Sequence, residues 1–235
     1  MCRTRAPLHV ILPLVLATCL GISGCVRTAD ATVAEYPAHG PGDRLALILT
    51  GDDGVTATIA SLADHLARAG VPSVVLTPAA ASETPDAAGA SIDRIARAHL
   101  KGWSRDRLLL LGTARGASIA PFVANRMGRD LRDRVEGIVL FGLQSRVSFT
   151  RRWHQLWRQT PSPTDLPVLP ELERLRGLQI VCLYRDPARD SFCSSLDPTL
   201  AERELAPDRA DGESEGAALA ARVTRMLPAE THAAP

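Results

Sequence analysis

One short stretch of the chain has the spacing of a catalytic turn but lacks its reactive residue. In LLLLGTARGASIAPFVANRM, residues 108–127, Gly112 and Gly116 flank position 114. Glycines at such positions let a strand turn sharply into a helix, which lifts the middle side chain beside backbone N–H donors. A Ser at the middle position acts as the nucleophile in acyl transfer. This chain has Ala114 instead, so the sequence predicts the turn without the attacking oxygen.

Apolar runs that alternate with helical patterns predict the elements that hold this turn. Residues 59, 62, 63 and 66 are apolar at helical spacing, and residues 92–99 and 219–227 repeat the pattern. The runs between them are unbroken, as in strands covered on both faces, and comprise residues 45–50, 71–76, 108–111, 137–141 and 178–184. This order predicts an α/β fold with a doubly wound, mostly parallel sheet and ligand sites at the carboxyl ends of its strands.

Other residues with reactive side chains are less well placed. His65 and His99 fall on predicted crossover helices, remote from the strand ends, which favours packing or a surface position. Thr113 precedes the apex of the turn and should point to the other side of the strand, while Ser118 lies one helical turn beyond it. We therefore predict that neither hydroxyl replaces the missing nucleophile.

An insertion of about residues 144–170 lacks a strand pattern and is long for a connection, which predicts a small cap over the strand ends. It contains Trp153 and Trp157, which either line a binding site or pack the cap itself. His154 lies in the same insertion and could reach the site, although nothing in its spacing requires this.

Four segments together resemble the VirJ/AcvB family of bacterial virulence proteins. They are LILTGDDGV, the turn itself, FTRRWHQLW and IVCLYRDPARDSFC, and the resemblance covers nearly the whole mature domain. Pro121, Asn125 and Arg126, in the helix that follows the turn, strengthen it. The resemblance implies an α/β-hydrolase-like fold in the periplasm, with links to type IV secretion and to hydrolysis of aminoacylated phosphatidylglycerol.

The resemblance also implies an oxyanion site. In the family pattern a loop written GDGG, after the first strand of the predicted domain, supplies a second donor to the G-x-S-x-G turn. Here Gly51, Asp52 and Gly54 remain, whereas Asp53 replaces a Gly and Val55 replaces the usual Trp. The loop equally fits an ordinary strand-to-helix turn whose acidic residues stabilise a helix N-terminus. Under the first interpretation Gly51, Asp52 and Arg115 are the candidate ligand-binding residues.

The remaining parts of a catalytic triad are an acid and a His. The resemblance places the acid after the fifth predicted strand, where Asp186 or Asp190 could fill it, and the His within residues 205–215, LAPDRADGESE, which contain none. His232 lies beyond Pro228, in a predicted disordered tail over residues 229–235. No confident catalytic residue is therefore left.

The drop in catalytic rate expected without a nucleophile and a base favours a protein that does not catalyse hydrolysis. Losing the nucleophile or its base costs on the order of 10⁶ in kcat, and losing both costs little more. We expect a non-catalytic scaffold that binds a lipid head group or an envelope or secretion-system protein. The alternative is an esterase that acts on aminoacylated phospholipid with a non-standard catalytic set.

The amino terminus predicts a lipid anchor. Arg3 and Arg5 precede an apolar stretch, and Ile22-Ser23-Gly24-Cys25 has the form of a lipobox. We predict a lipoprotein signal peptide over residues 1–24, lipidation of Cys25, a tether over residues 25–43 and a domain over residues 44–228. Because no Asp follows Cys25, the outer membrane facing the periplasm is the expected location.

Composition and cysteine usage limit the remaining classes. Cys182 and Cys193 are the thiols left in an oxidising compartment, so we predict a disulfide between them. The net charge of +1 argues against nucleic acid as a partner. We predict no cofactor and no metal site.

Overall fold

The sheet and its helices contain most of the residues that the structure describes. This computed structural model describes residues 32–38, 40–77, 84–149, 164–185, 192–206 and 211–226. The strands are β1 (Thr32–Tyr36), β2 (Arg44–Leu49), β3 (Ser73–Thr77), β4 (Arg107–Thr113), β5 (Val135–Phe141), β6 (Arg146–Val147), β7 (Leu166–Pro167), β8 (Gln179–Tyr184) and β9 (Glu202–Leu205). The helices are α1 (Ala57–Arg68), α2 (Pro85–Gly102), α3 (Arg115–Arg126), α4 (Arg129–Arg132), α5 (Leu169–Glu173) and α6 (Gly212–Met226), with a short 3-10 helix at Phe192–Ser195.

Seven strands form one sheet in the order β1-β3-β2-β4-β5-β8-β9, and all its pairs except β1–β3 are parallel. Leu45 and Leu47 of β2 pack with α2 and α3 on one face, while Ala46 and Ile48 pack with α1 and α6 on the other. Burial on both faces explains why the central strands are unbroken apolar runs. The predicted doubly wound α/β fold is confirmed.

The prediction of a tether over residues 25–43 is wrong for Thr32–Tyr36. These residues form β1, an edge strand that runs antiparallel to β3. An edge strand is paired on one side only, and Val33 remains 39% exposed. The segment therefore has no continuous apolar run, which is why the sequence pattern did not indicate a strand.

Two further elements were missed. β9, with the sequence EREL, forms the opposite edge of the sheet and is largely exposed, so its charged residues gave no strand signal. The predicted cap lacks a strand pattern, but Arg146–Val147 and Leu166–Pro167 pair as a two-stranded antiparallel ribbon at its base. The cap residues 150–163 lie outside the described ranges.

The predicted disulfide is confirmed. Cys182 of β8 is bonded to Cys193 of the 3-10 helix, with their Cα atoms 5.5 Å apart. The bond fixes the chain on both sides of residues 186–191, because β8 ends just before them and the 3-10 helix begins just after. None of the helices in the described ranges has the length and apolar character needed to cross a bilayer.

Candidate functional site

The turn after β4 has the geometry that its sequence predicts. Ala114 has φ 50° and ψ −122°, a backbone conformation that residues with a Cβ rarely adopt. A Cβ on Gly116 would lie 2.1 Å from the carbonyl oxygen of Leu49, and one on Gly112 would lie 2.5 Å from the Cα of Ala117. Both glycines are therefore required by close backbone packing. Ala114 itself is exposed at the apex, in the position from which a nucleophile would project.

The loop after β2, residues 50–56, lies against this turn. A Cβ built on Gly51 would be 3.1 Å from the Cβ of Ala114 and 3.7 Å from the backbone nitrogen of Arg115. The Arg115 N–H belongs to the first turn of α3, where backbone donors have no partner within the helix. The structure thus brings Gly51 and Arg115 together beside the apex.

The side chains of Asp52 and Arg115 bind each other. Arg115 Nη1 donates to Asp52 Oδ1 at 3.0 Å, and its Nη2 donates to the carbonyl oxygen of Ser148 at 2.7 Å. Arg115 therefore connects the loop after β2 to the start of the cap insertion. The Arg115 guanidinium is thus held by contacts within the protein.

A cavity of about 410 Å³ opens above the turn at the carboxyl edge of the sheet, the edge at which its parallel strands end. Its floor includes Gly51 and Ala114, and its walls come from the loop after β2, α1, the ends of β5 and β8, and α6. The volume falls within the roughly 300–1,000 Å³ that is usual for small-molecule sites.

The wall of the cavity opposite the turn carries a buried ion pair. Glu215, in the first turn of α6, is only 6% exposed and pairs with the guanidinium of Arg185, which directly follows β8. Thr58 Oγ1 also donates to Glu215 Oε2, at 3.3 Å. The guanidinium stacks on the ring of Phe141, with its carbon 4.8 Å from the ring centroid.

Close packing of two helices brings Glu215 into this position. A Cβ on Gly216 would lie 2.4 Å from the backbone oxygen of Thr58, so the missing side chain lets α6 approach α1. Sequence reasoning did not identify Glu215 or Arg185. An acidic residue in the first turn of a helix ordinarily indicates interaction with the helix dipole, and its partner lies on a different element.

The predictions about Ser118 and the two helical histidines agree with the geometry. Ser118 is fully buried, and its Oγ accepts a hydrogen bond of 3.0 Å from the backbone N–H of Gln144, so it holds the chain after β5. His65 Nδ1 lies 2.8 Å from the backbone oxygen of Ser61, in the same helix. His99 Nε2 lies 3.0 Å from Oε1 of Glu35, which belongs to β1. Neither histidine is among the described residues that line the cavity. Thr113, in contrast, was predicted to point to the other side of the strand and is partly exposed in the lining of the cavity, next to Ala114.

The helix after the turn also anchors the end of the cap insertion. Asn125 Nδ2 donates to Glu171 Oε2 at 2.7 Å, and Arg126 Nη1 lies 3.2 Å from the same oxygen. Burial lowers the pKa of Arg126, but hydrogen bonds from its guanidinium to Glu171 and Asp86 outweigh that effect and raise the pKa above its ordinary value. These residues, part of the sequence resemblance, thus have a positioning role.

Several predicted site residues cannot be placed. The candidate acids Asp186 and Asp190, the cap residues Trp153, Trp157 and His154, His232 and the lipidation site Cys25 all lie outside the described residues. Within the described ranges, no group of His, Cys, Asp and Glu could hold a metal ion.

Comparisons with known proteins agree with this architecture. A family model described as "Bacterial virulence protein (VirJ)" matches residues 43–230. No curated protein gives a significant match to the sequence.

Solved structures with the same fold are only distantly similar in sequence. Est1E from Butyrivibrio proteoclasticus superposes with a TM-score of 0.57 at 11% identity, over 82% of this chain and 93% of that one. A hypothetical protein from Pseudomonas aeruginosa PAO1 gives 0.55 at 17% identity, over 83% and 95%. LpqC, a poly(3-hydroxybutyrate) depolymerase from Bordetella parapertussis, gives 0.52 at 12% identity, over 88% of each chain. At these identities the likeness shows the α/β-hydrolase fold alone.

Proposed function

Because the chain belongs to the VirJ family of bacterial virulence proteins, we propose that it is a periplasmic, virulence-associated lipoprotein whose α/β-hydrolase scaffold binds a ligand without hydrolysing it. Cys25 carries the lipid that anchors it, most simply in the outer membrane. The ligand is a lipid head group or an envelope or secretion-system protein. Under this proposal the protein has the fold and the location of a hydrolase-like relative but does not catalyse hydrolysis.

One observation carries the proposal. The turn has kept the strained backbone at position 114 and the exposed apex, yet the residue there is Ala and has no oxygen to attack with. The nearby hydroxyl of Ser118 is buried and already accepts a hydrogen bond. Since the nucleophile and its base act as a unit, their loss leaves only effects of binding and of oxyanion stabilisation, about 10³ to 10⁴ over water.

The cavity supports a binding role. It has the volume of a small-molecule site, and the backbone near Gly51 and Arg115 is suited to an anion such as a carboxylate or phosphate. A phosphate of a lipid head group fits this chemistry. If a soluble head-group analogue such as glycerol phosphate raises the melting temperature, the ligand is a head group; no shift favours a protein partner.

The test of the missing chemistry is labelling with a fluorophosphonate, together with hydrolysis of aryl esters and of lysyl-phosphatidylglycerol. We expect no labelling and no turnover from the purified protein. Ala114→Ser is expected to remain inactive as well, because a hydroxyl needs an adjacent base to become nucleophilic. Turnover by the unaltered protein that disappears on mutation of a cavity residue would contradict the proposal.

A hydrolase with a non-standard catalytic set is the second candidate, and one contact favours it. Thr58 and Glu215 both line the cavity, and the Thr58 hydroxyl donates to the Glu215 carboxylate at 3.3 Å. A hydroxyl beside a carboxylate is a minimal nucleophile-and-base arrangement. This candidate predicts labelling that is lost in both Thr58→Val and Glu215→Gln, whereas the leading proposal predicts no labelling in any of the three proteins.

A further inference from the structure

The direction of β1 determines where the amino-terminal segment meets the domain. β1 runs antiparallel to β3, and its first residue, Thr32, is paired with Thr77, the last residue of β3. Because the other strands of the sheet run in the opposite direction to β1, Thr32 lies at the carboxyl edge of the sheet. The chain therefore enters the domain at the edge that carries the cavity.

The entry point is also near the cavity across the sheet. Thr77 Oγ1 lies 3.4 Å from Thr50 Oγ1 and 3.4 Å from the position that a Cβ on Gly54 would occupy. Both neighbours belong to the loop after β2. Since β1 and β4 are separated by two strands and adjacent strands lie about 4.8 Å apart, Thr32 is roughly 14 Å from β4, which leads into the turn at Ala114.

The segment that separates this entry point from the proposed anchor is short. Six residues, 26–31, lie between Cys25 and Thr32. Even fully extended, this stretch spans no more than about 25 Å. We infer that the carboxyl edge of the sheet, with the open mouth of the cavity, faces the lipid surface to which Cys25 is attached. The inference rests on the lipid anchor proposed above.

The opposite orientation is disfavoured by the same length. To place the amino edge of the sheet against the lipid, the segment would have to turn back along the full height of the strands, about 20 Å for six or seven residues. Crossing that height would use nearly the whole extended length of the segment before Thr32 and leave almost none for the turn at the edge of the sheet. The short length of this segment thus fixes which edge of the domain faces the membrane.

A second cavity, at the amino edge of the sheet, is lined by four cations, Arg97, Lys101, Arg105 and Arg134. Arg97 is paired with both Asp93 and Asp130, and Arg134 lies 3.4 Å from Asp106. The guanidinium of Arg105 is bound to the backbone oxygens of Gly40 and Gly42. Two of these four cations are therefore paired with carboxylates, which weakens the attraction of this edge to anionic lipid.

The consequence is a route for the ligand. A cavity that opens toward the membrane receives a group that is itself part of the lipid surface, such as a head-group phosphate, without release into the periplasm. A soluble partner would have to enter the narrow space between the sheet edge and the membrane. Among the two ligand classes proposed above, the orientation therefore favours the lipid head group.

The orientation is measurable with fluorophores at the two edges. Val55→Cys places a label on the loop after β2, where the residue is 43% exposed. Gly102→Cys places one at the end of α2, on the amino side of β4, where the residue is exposed and a Cβ would meet no atom within 4 Å. The acylated mature chain, residues 25–235, is reconstituted into vesicles whose head groups carry a nitroxide quencher. Acylated Cys25 and the Cys182–Cys193 disulfide do not react with the label.

We expect quenching several-fold stronger at position 55 than at position 102. Equal quenching, or stronger quenching at position 102, would overturn the inference while leaving the lipid anchor intact. The control is a protein that begins at residue 25 with Cys25→Ser, so that it lacks both the lipid and the leader with its Cys2 and Cys19; with the same labels it should be unquenched. Failure of the acylated chain to sediment with vesicles would overturn the anchor and the orientation together, whereas the fluorophosphonate test of missing catalysis is independent of both.

Lengthening the segment between Cys25 and Thr32 tests whether its short length, rather than another contact with lipid, orients the domain. A flexible Gly/Ser insertion of about 20 residues between Val26 and Thr32 adds a root-mean-square length of roughly 25 Å. The difference in quenching between the two labels should then largely disappear. An unchanged difference would show that the short segment is not what orients the domain.

Discussion

The two sides of the cavity resemble a catalytic site to different extents. On one side, the turn at Ala114 retains its strained backbone and both flanking glycines, and it lacks a single oxygen atom. On the other side, the described residues are Arg185, which directly follows β8, and Glu215, in the first turn of α6, and they form an ion pair. The candidate acids Asp186 and Asp190 lie outside the described residues.

Packing explains this difference. The turn is enclosed by backbone atoms of β2 and of α3 itself, so its geometry is required for the fold whether or not a nucleophile is present. Only the side chain at its apex is exposed and can vary without disturbing this packing. The opposite wall is formed by side chains from separate elements, so its residues can differ without disturbing the sheet. Persistence of the turn is therefore evidence about folding rather than about catalysis.

The largest expected effect comes from adding one methyl group to the turn. In Gly116→Ala the new Cβ would lie 2.1 Å from the backbone oxygen of Leu49, and neither backbone can move without disrupting the sheet. We expect the free energy of unfolding to fall by about 3 kcal/mol or more, measured by urea denaturation. The matched control is Gly102→Ala, where no atom lies within 4 Å of the new Cβ. Equal stability of the two variants would contradict the enclosure of the turn.

The same contrast between enclosed and exposed backbone governs what the sequence could predict. Strands β2, β4 and β5 are buried on both faces, so burial imposes continuous apolar runs that reveal them. The edge strands β1 and β9 are partly or largely exposed, and their sequences, TVAEY and EREL, carry no such constraint. Local sequence was sufficient where packing dictates residue type.

The candidate site divides in the same way. Gly112 and Gly116 indicated the turn because only Gly fits their positions, and Ala114 was visible as the missing nucleophile. Glu215 and Arg185 could not be paired from the sequence, because their contact depends on how α6 packs against α1 and on where β8 ends. An interaction between distant elements leaves no local pattern.

A second expected effect tests the opposite wall. Glu215→Gln removes the charge that faces Arg185 and should lower the free energy of unfolding by about 2 kcal/mol. Breaking a fully buried pair costs roughly 3–5 kcal/mol. The loss here should be smaller because the Arg185 side chain is 23% exposed and solvent screens its charge. The double variant with Arg185→Met should lose less than the sum of the two single losses.

An exposed ion pair supplies the control for that cycle. Arg134 and Asp106 lie 3.4 Å apart with 46% and 82% of their side chains exposed, so Asp106→Asn should change stability by no more than about 0.5 kcal/mol. Strict additivity of the Glu215 and Arg185 substitutions would mean that the two groups are not coupled. The ion pair would then contribute nothing specific to the stability of this wall.

A smaller effect of opposite sign is expected at the apex of the turn. Ala114→Gly relieves the positive φ of 50°, and the gain exceeds the greater chain entropy of Gly, so the protein should become about 1 kcal/mol more stable. Ala221→Gly, at an exposed position within α6, should instead become about 1 kcal/mol less stable. If both variants lose stability in thermal or urea unfolding, the apex is not strained.

The smallest expected effect concerns the helix that carries Glu215. The backbone N–H of Ser214 donates to Asp211 Oδ1 at 2.7 Å, and this bond, with one from the Ser214 hydroxyl, lowers the pKa of Asp211. A carboxylate with a lowered pKa stabilises the folded state above its unfolded pKa of about 3.9, and the contribution disappears as the pH falls through the folded value. Asp211→Asn keeps the capping bond without the charge. The melting temperature of the unaltered protein should therefore exceed that of the variant slightly at pH 7, and the difference should vanish in acid. If the difference instead stays constant from pH 7 to acid, the charge of Asp211 does not stabilise the amino end of α6, the turn that carries Glu215.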